Sequence, residues 1–418
     1  MNKTGLAIHG GPKIRNQDWP NRGQFGQDDK QAVAAVFDNS INTGEPFGYD
    51  GPPEETFCNE FASMMGGGFV DAVSSGSTAL YVALKAMGIE PFTEVIVGCL
   101  TDPGGMMPIP LLNCIPMIAD VAPDSLSPAP EQIEDLITPL TSAIVVAHIA
   151  GYPADIEGIL EIGKRHDIPI IEDCAQAHGA EMSGRFVGTF GNIAAISTMS
   201  GKHMNTGSQG GVVFTSDKQL YERSRRASDR GKPFFLPEHS TNEAASLNMN
   251  LGDMASAIGR VQIEKLPKLV ASRRDIVKKL ETSIIDQGLI SVSVMPARPG
   301  SKPSYWWLPL KVNLQKLSCD RDTFVNAIIS EGVPASDLGW GLMPHRMEWF
   351  QKRRVFGTSR YPWASPDYTG GGDREFPCPN ATALMDGYMK LPVHEGWGDG
   401  EVADVLASLS KVEQAFLK

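Results

Sequence analysis

The chain predicts an α/β protein, with a large lobe built on a mostly parallel seven-stranded sheet between helices and a smaller C-terminal α+β lobe. Three observations carry this. From about residue 70 to 217, short β-branched runs alternate with helical patterns, the order in which a parallel sheet and its crossover helices are written. Beyond Asp217 that alternation gives way to long amphipathic stretches. At 418 residues the chain exceeds what one ordinary core serves, so each lobe is expected to have its own.

The elements follow in order. FVDAVSSGSTALYVALKAMG is an apolar run ending at Val73, a Ser-Ser-Gly-Ser turn, then Leu80, Val82, Ala83, Leu84 and Met87 at helical spacing: strand, turn, helix. Further strands are EVIVGC (94–99), IPMIADV (115–121), SAIVVAHIAG (142–151), IPIIED (168–173), IAAIST (193–198) and GGVVFTSD (210–217). DIEGILEIGKRHD supplies a crossover helix between two of them. LYERSRRASDRGKPF reads as an exposed helix, and MASAIGRVQIEKLPKLVASRRDIVKKLETSI as an amphipathic stretch interrupted by Pro267. The lobe boundary is placed there. Residues 1–266 hold the N-terminal segment and the large lobe, and 267–418 the small one, with a strand-like WWLPLKVNL, two helical patterns and a Pro-, Gly- and Tyr-rich loop around 355–380.

Composition narrows the function. With 21% charged residues, 42% hydrophobic ones and a net charge of −12, the chain is an ordinary globular protein without the basic stripe a nucleic acid requires. MNKTGLAIHGGPKIRNQDWP lacks a secretory pattern and no long uncharged apolar run occurs, so a cytoplasmic protein without a membrane partner is expected. Six scattered cysteines lack Cys-x-x-Cys spacing and eight histidines form no His-Glu-x-x-His, which predicts reduced thiols and no catalytic metal. No Gly-x-Gly-x-x-Gly follows an early strand, against a dinucleotide fold.

Ligands of open α/β sheets sit at the carboxyl ends of the strands. Strand 168–173 ends in Glu172 and Asp173, with Gln176 and His178 just beyond; strand 193–198 ends at Ser197 and leads to Lys202. Before the first crossover helix, Ser75, Gly76 and Ser77 offer backbone N–H groups and a helix dipole to an anion such as phosphate. Singly each has a plain reading: a cap, a solvated lysine, a satisfied glutamine. Together, a phosphate cup, a carboxylate, a glutamine and a lysine at one rim are the set that pyridoxal phosphate needs. The lysine serves as amine and proton carrier, and the carboxylate as partner of the pyridine nitrogen.

VSSGSTAL (73–80), PIIEDCAQAHGAEMSGRFVGTFGNIAAIST (169–198), SGKHMNTGSQGGVVFTSD (200–217) and LNMNLGDMASAIGRVQIEKL (247–266) resemble the DegT/DnrJ/EryC1/StrS family, the sugar and cyclitol aminotransferases of fold type I. LAIHGGPKIR and PNATALMDGYMKLPVHEGWGDGEVADVL (379–406) are similar to its StrS-like branch. The resemblance implies that Lys202 is the Schiff-base lysine, Asp173 the partner of the pyridine nitrogen, and Gln176 a neighbour of the ring and its phenolic oxygen. It places Gly76, Ser77 and Ser197 at the cofactor phosphate. Asn248 matches an asparagine that reaches the phosphate from the other subunit, which implies a homodimer with shared sites.

There are departures. Where many members carry a ring-stacking aromatic, this chain has Thr101-Asp102-Pro103-Gly104-Gly105, so Asp102 is either a carboxylate beside the ring or a cap. Asn248-Met249-Asn250-Leu251 lacks the arginine of the family's Asn-Tyr-Arg-Met, and His203 follows the lysine where Asn or Val is frequent. A phosphorylated or nucleotide-linked substrate would need basic residues, for which Arg225, Arg226, Arg230 and Lys232 are the candidates, unless they form a solvated helix face.

The expected activity is transfer of an amino group from glutamate or glutamine to a keto-sugar, free or nucleotide-linked, or a keto-cyclitol, by ping-pong kinetics through pyridoxamine phosphate. The alternatives are a pyridoxal-phosphate-dependent sugar dehydratase or epimerase, distinguished by a product made without an amino donor, and a non-catalytic regulatory protein. The latter would be supported by an appended DNA-binding or effector segment.

Overall fold

A computed structural model describes residues 3–418 of the chain. The seven expected strands form one sheet: β1 Phe69–Val73, β2 Glu94–Gly98, β3 Ile115–Ala119, β4 Thr141–Ala147, β5 Ile170–Asp173, β6 Ile193–Ser197 and β7 Gly211–Thr215. Their spatial order is β1-β7-β6-β5-β4-β2-β3. Strands β2 to β6 pair in parallel, and β7 runs antiparallel between β6 and β1. Helices cover both faces, so β2, β3, β6 and β7 are buried throughout and read as continuous apolar runs rather than alternating ones. The exception is Glu94, whose carboxylate accepts hydrogen bonds from Thr138 at 2.5 Å and Tyr368 at 2.8 Å. A buried charge persists when its oxygens are bonded in this way.

Helices α1 (Gln27–Thr43) and α2 (Pro52–Met64) precede the sheet. The crossover helices α3 (Gly76–Ala86) and α4 (Ile156–His166) start where the sequence places caps. Ser75 Oγ accepts from Thr78 N at 3.1 Å while Thr78 Oγ1 accepts from Ser75 N at 2.9 Å, a reciprocal cap. Asp155 caps α4 through Gly158 N at 3.1 Å. Helix α5 (Lys218–Ser228) forms as expected, but it is not an exposed helix: Leu220, Ser224, Arg225, Ala227 and Ser228 are all buried.

Pro267 does not interrupt the amphipathic stretch. Helix α6 runs unbroken from Asp253–Asp286, so the boundary placed at 266/267 falls inside one rigid element. Proline removes one helical hydrogen bond and crowds the preceding turn. Packing on both sides of it outweighs that cost: Leu266, Leu269 and Val270 pack with Phe57 and Phe61 of α2, and Ile276, Val277 and Leu280 enter the small-lobe core.

The small lobe centres on a sheet of β8 Val292–Val294, β9 Leu308–Val312, β10 Ser336–Asp337 and β11 Tyr388–Leu391, in the order β8-β9-β11-β10. Helices α7 (Arg321–Ser330) and α9 (Asp399–Phe416) cover it, and α8 (Pro379–Gly387) leads into β11. The N-terminal segment packs here rather than on the large lobe with which residues 1–266 are grouped: Leu6 enters the small-lobe core, Trp19 lies 4.7 Å from Trp397, and Arg15 pairs with Asp404 at 2.7 Å. Conversely Met343, Phe350, Trp363 and Leu384 join the large-lobe core. Among the described residues no helix is long and apolar enough to cross a membrane.

Candidate active site

The parallel strands end on one rim, and a cavity of about 250 Å³ opens there. Its walls bring together Gly76, Ser77, Asp102, Asp173, Gln176, Ser197 and Lys202, seven of the eight residues named from the sequence. One wall is the start of α3, where the N–H groups of Gly76 and Ser77 have no carbonyl to bond within the helix. Only glycine fits at position 76, because a Cβ there would meet Ser197 Cβ at 2.5 Å. The serine hydroxyl and the open N–H groups thus face the same space, a seat for a phosphate-sized anion.

Lys202 lies at the floor and is 6% exposed. Burial pushes its ammonium down to about 8, against the pull of Asp173 and Asp102. The neutral amine is therefore reachable near physiological pH. Trp306 covers the other side, with Lys202 Nζ 3.7 Å from its ring centre, and its own Nε1 donates to Gly201 O at 2.8 Å. The loop is held from the N-terminal segment: Arg22 donates to the carbonyls of Gly201 and Lys202 at 3.1 and 2.9 Å, and Gln24 to that of Lys202 at 2.9 Å.

Asp173 is half-buried, its carboxyl pushed up by desolvation, and Oδ1 accepts from Ala175 N at 3.0 Å. Such a group gains most from a cation placed beside it. Gly105 leaves room for it, since a Cβ at that position would lie 2.9 Å from Asp173 Oδ2 and 2.2 Å from Thr101 Oγ1. Gly105→Ala should therefore overpack this wall at a cost of about 1–3 kcal/mol. Titration of the variant with pyridoxal phosphate is expected to show weaker binding by roughly one to two orders of magnitude. Gln176 Oε1 accepts from Ala150 N at 2.8 Å, which fixes its amide against the β4 loop. Asp102 lines the cavity, and its Oδ1 caps the Pro103–Gly105 turn through Gly104 N at 2.8 Å.

The remaining candidates lie elsewhere. Asn248 is exposed and away from the cavity of its own chain, with Oδ1 accepting from Asn250 Nδ2 at 2.8 Å. His203 points away from the cavity, bonded through Nε2 to Ser304 O at 3.0 Å and packed against His178 with ring centres 5.6 Å apart. Burial keeps both imidazoles neutral, His178 at about 3. The four basic residues considered for a phosphorylated substrate are in internal pairs. Arg226 meets Glu243 at 3.0 Å, and Arg230 and Lys232 meet Asp229 at 2.8 and 2.6 Å. Arg225 is buried among Asp50, Glu54 and Asp71, at 2.7 Å from Asp71. Arg225→Ala would leave carboxylates buried without their cation and should destabilise the protein by about 3–5 kcal/mol in urea unfolding.

The match to known proteins agrees with this geometry. The model of the DegT/DnrJ/EryC1/StrS aminotransferase family matches residues 26–410. This chain belongs to that family. Among curated DegT/DnrJ/EryC1/StrS relatives, the L-glutamine:2-deoxy-scyllo-inosose aminotransferase of Micromonospora echinospora is 32% identical over 322 residues, 73% of this chain and 74% of that one. The GDP-perosamine synthase of Escherichia coli O157:H7 is 33% identical over 306 residues, 72% of this chain and 80% of the relative. Of solved structures, an aminotransferase from Psychrobacter cryohalolentis superposes with a TM-score of 0.82 at 27% identity, covering 95% of this chain and 98% of its own. The site thus sits in an aminotransferase scaffold, an α/β fold with a mostly parallel seven-stranded sheet.

Sequence reasoning missed Trp306, Arg22 and Gln24. Trp306 stands just before β9 in a stretch read as strand, 104 positions from Lys202, and Arg22 and Gln24 are isolated polar residues in a loop. No spacing rule joins them to the lysine.

Proposed function

We propose that this aminotransferase binds pyridoxal 5'-phosphate and moves an amino group from glutamine or glutamate to the carbonyl of a cyclitol or sugar. One observation carries the reading: a buried lysine, pushed down to about 8, shares its cavity with a half-buried carboxylate and an open helix N-terminus. The donor set fits the cofactor. Gly76 N, Ser77 N and Ser197 Oγ would hold the phosphate, Asp173 the ring nitrogen and Gln176 the ring edge. When bound, the cofactor supplies an aldehyde that exchanges amines and a ring that takes up an electron pair. Lys202 Nζ is the amine offered to that aldehyde and, once free, the base that takes up and returns a proton. Asp173 would keep a proton on the ring nitrogen, and Trp306 keeps water from the far side of Nζ.

Both curated relatives described above handle polyhydroxylated rings, one named for glutamine and a keto-cyclitol and the other for a GDP-linked amino sugar. Arg225, Arg226, Arg230 and Lys232 are engaged in internal pairs, which favours an acceptor without a diphosphate, a keto-cyclitol or free keto-sugar. A homodimer that shares its sites is supported by Asn248 being exposed, and by Phe25, Phe235, Leu247 and Met254 standing exposed on the surface.

The test is spectroscopic. Protein saturated with pyridoxal phosphate is expected to lose its yellow absorbance when glutamine or glutamate is added without acceptor, releasing one 2-oxo acid per site. A ketone product formed with no amino donor present would show elimination or epimerisation instead. Persistent colour with both donors would refute the donor assignment.

A further inference from the structure

Outside the Lys202 cavity, the fold collects metal-binding side chains behind the Thr101–Gly105 wall. Cys99 and Asp120 leave the carboxyl ends of β2 and β3, which are neighbours in the sheet. Cys378, in a left-handed backbone conformation with φ 46° and ψ 63°, caps α8 above them. The two sulfur atoms and a carboxylate oxygen of Asp120 all lie within 4.8 Å of one another. Both cysteines are buried, at 0% and 3% exposure.

Two further observations point to a ligand. His345 is 2% exposed, yet neither ring nitrogen has a hydrogen-bond partner. It lies against the Cys378 thiol. Buried polar groups are ordinarily bonded, so an imidazole with no firmer partner than a neighbouring thiol is unusual. Asp120 is held as a metal-binding carboxylate is held: Oδ1 accepts from Val121 N at 2.8 Å and Ala381 N at 3.0 Å, and Oδ2 from Asn380 N at 2.8 Å. The Cys99 thiol donates to Oδ1 as well, at 3.8 Å, the weak contact that a bound metal would replace.

We propose that Cys99, Cys378 and Asp120, with His345 turning in from beside Cys378 to complete the set, form a structural zinc site that pins α8 and the segment before it to the sheet. Two sulfurs, one nitrogen and one oxygen make a four-coordinate set suited to zinc and unsuited to calcium or magnesium. Binding replaces two S–H bonds by two Zn–S bonds and releases two protons to solvent, with no change of oxidation state. Because Thr101 N donates to Leu342 O at 2.9 Å, the pinned segment is also bonded to the wall of the active-site cavity. A second group, His148, Glu172 and Cys174, shows the contrast. There Glu172 accepts from Gly188, Phe190 and Gly191, and His148 Nδ1 accepts from Ala154 N at 3.0 Å while Nε2 meets Glu172 at 3.1 Å, so the set is already satisfied.

The test uses full-length protein, stripped with chelator under reducing conditions and then given Co²⁺ or Zn²⁺. One cobalt ion per chain is expected, with sulfur-to-cobalt charge-transfer absorption that zinc displaces. The band should vanish in Cys378→Ser and persist in Cys319→Ser, and His345→Gln should weaken zinc binding by about tenfold or more. A second readout needs no variant: in the wild type, zinc should protect Cys99 and Cys378 together from alkylation, located by mass spectrometry. Absence of the cobalt band with thiols intact, its survival in Cys378→Ser, or lack of zinc protection at these two thiols would overturn the proposal. So would a Cys99–Cys378 disulfide in reoxidised protein that takes up no metal after reduction, which would identify a redox pair instead.

Discussion

Lys202→Ala is expected to lower transamination by at least about 10³-fold while leaving the fold intact, because the role proposed for it is both the amine that the cofactor aldehyde attaches to and the base that moves the proton. The side chain lies in a preformed cavity and makes its cation–π contact with Trp306, so truncation leaves a small void and takes only a distant cation from Asp173 and Asp102. Lys202→Arg should be no better, since guanidinium stays charged at every working pH. The pH dependence has a definite sign. Burial lowers Lys202 to about 8, so the neutral amine dominates above that value and falls about tenfold per unit below it. Attachment of pyridoxal phosphate to apoprotein should accelerate with pH up to about 8 and then level off. Stopped-flow absorbance across pH 6 to 10 would measure this; a midpoint near the ordinary lysine value would show that burial does not set the amine's basicity.

Asp173→Asn carries the second large effect. The carboxylate is half-buried at the end of β5, with Oδ1 fixed by Ala175 N at 3.0 Å, and desolvation raises its own protonation range. A carboxylate in that position gains its stability from a cation beside it, and the proton on the ring nitrogen provides one. The amide keeps the shape and removes the charge. The turnover number should fall by about 10²–10³-fold, the cost of removing one preorganised electrostatic partner, with a smaller change in acceptor KM. Pyridoxal phosphate analogues whose ring nitrogen carries a permanent positive charge should recover part of the loss. A variant with unchanged turnover would remove Asp173 from the chemistry.

Much of this was legible in the chain because it is local. Each of the seven strands is a run of β-branched residues bounded by turn signals, and the caps Ser75 and Asp155 announce their helices. Asp173 and Gln176 sit three positions apart at a strand end, and Lys202 follows the next strand, so topology alone delivers them to one rim. What stayed hidden depends on contacts between distant residues. Pro267 reads as a breaker, and only the two flanking cores show why α6 continues through it. Arg225 reads as a solvated helix face until Asp50, Glu54 and Asp71 close around it. Trp306 and the Cys99, Asp120 and Cys378 cluster are likewise assembled from separate parts of the fold, without a spacing signature.

The most direct test of the central claim is to treat the protein with pyridoxal phosphate, reduce with borohydride so that any linkage between cofactor and amine becomes permanent, and map the labelled peptide by mass spectrometry. A single pyridoxyl group on Lys202, absent when glutamine is added before reduction, is the predicted result. Label on another lysine, or none with the cofactor in excess, would contradict the assignment of this cavity as the catalytic site.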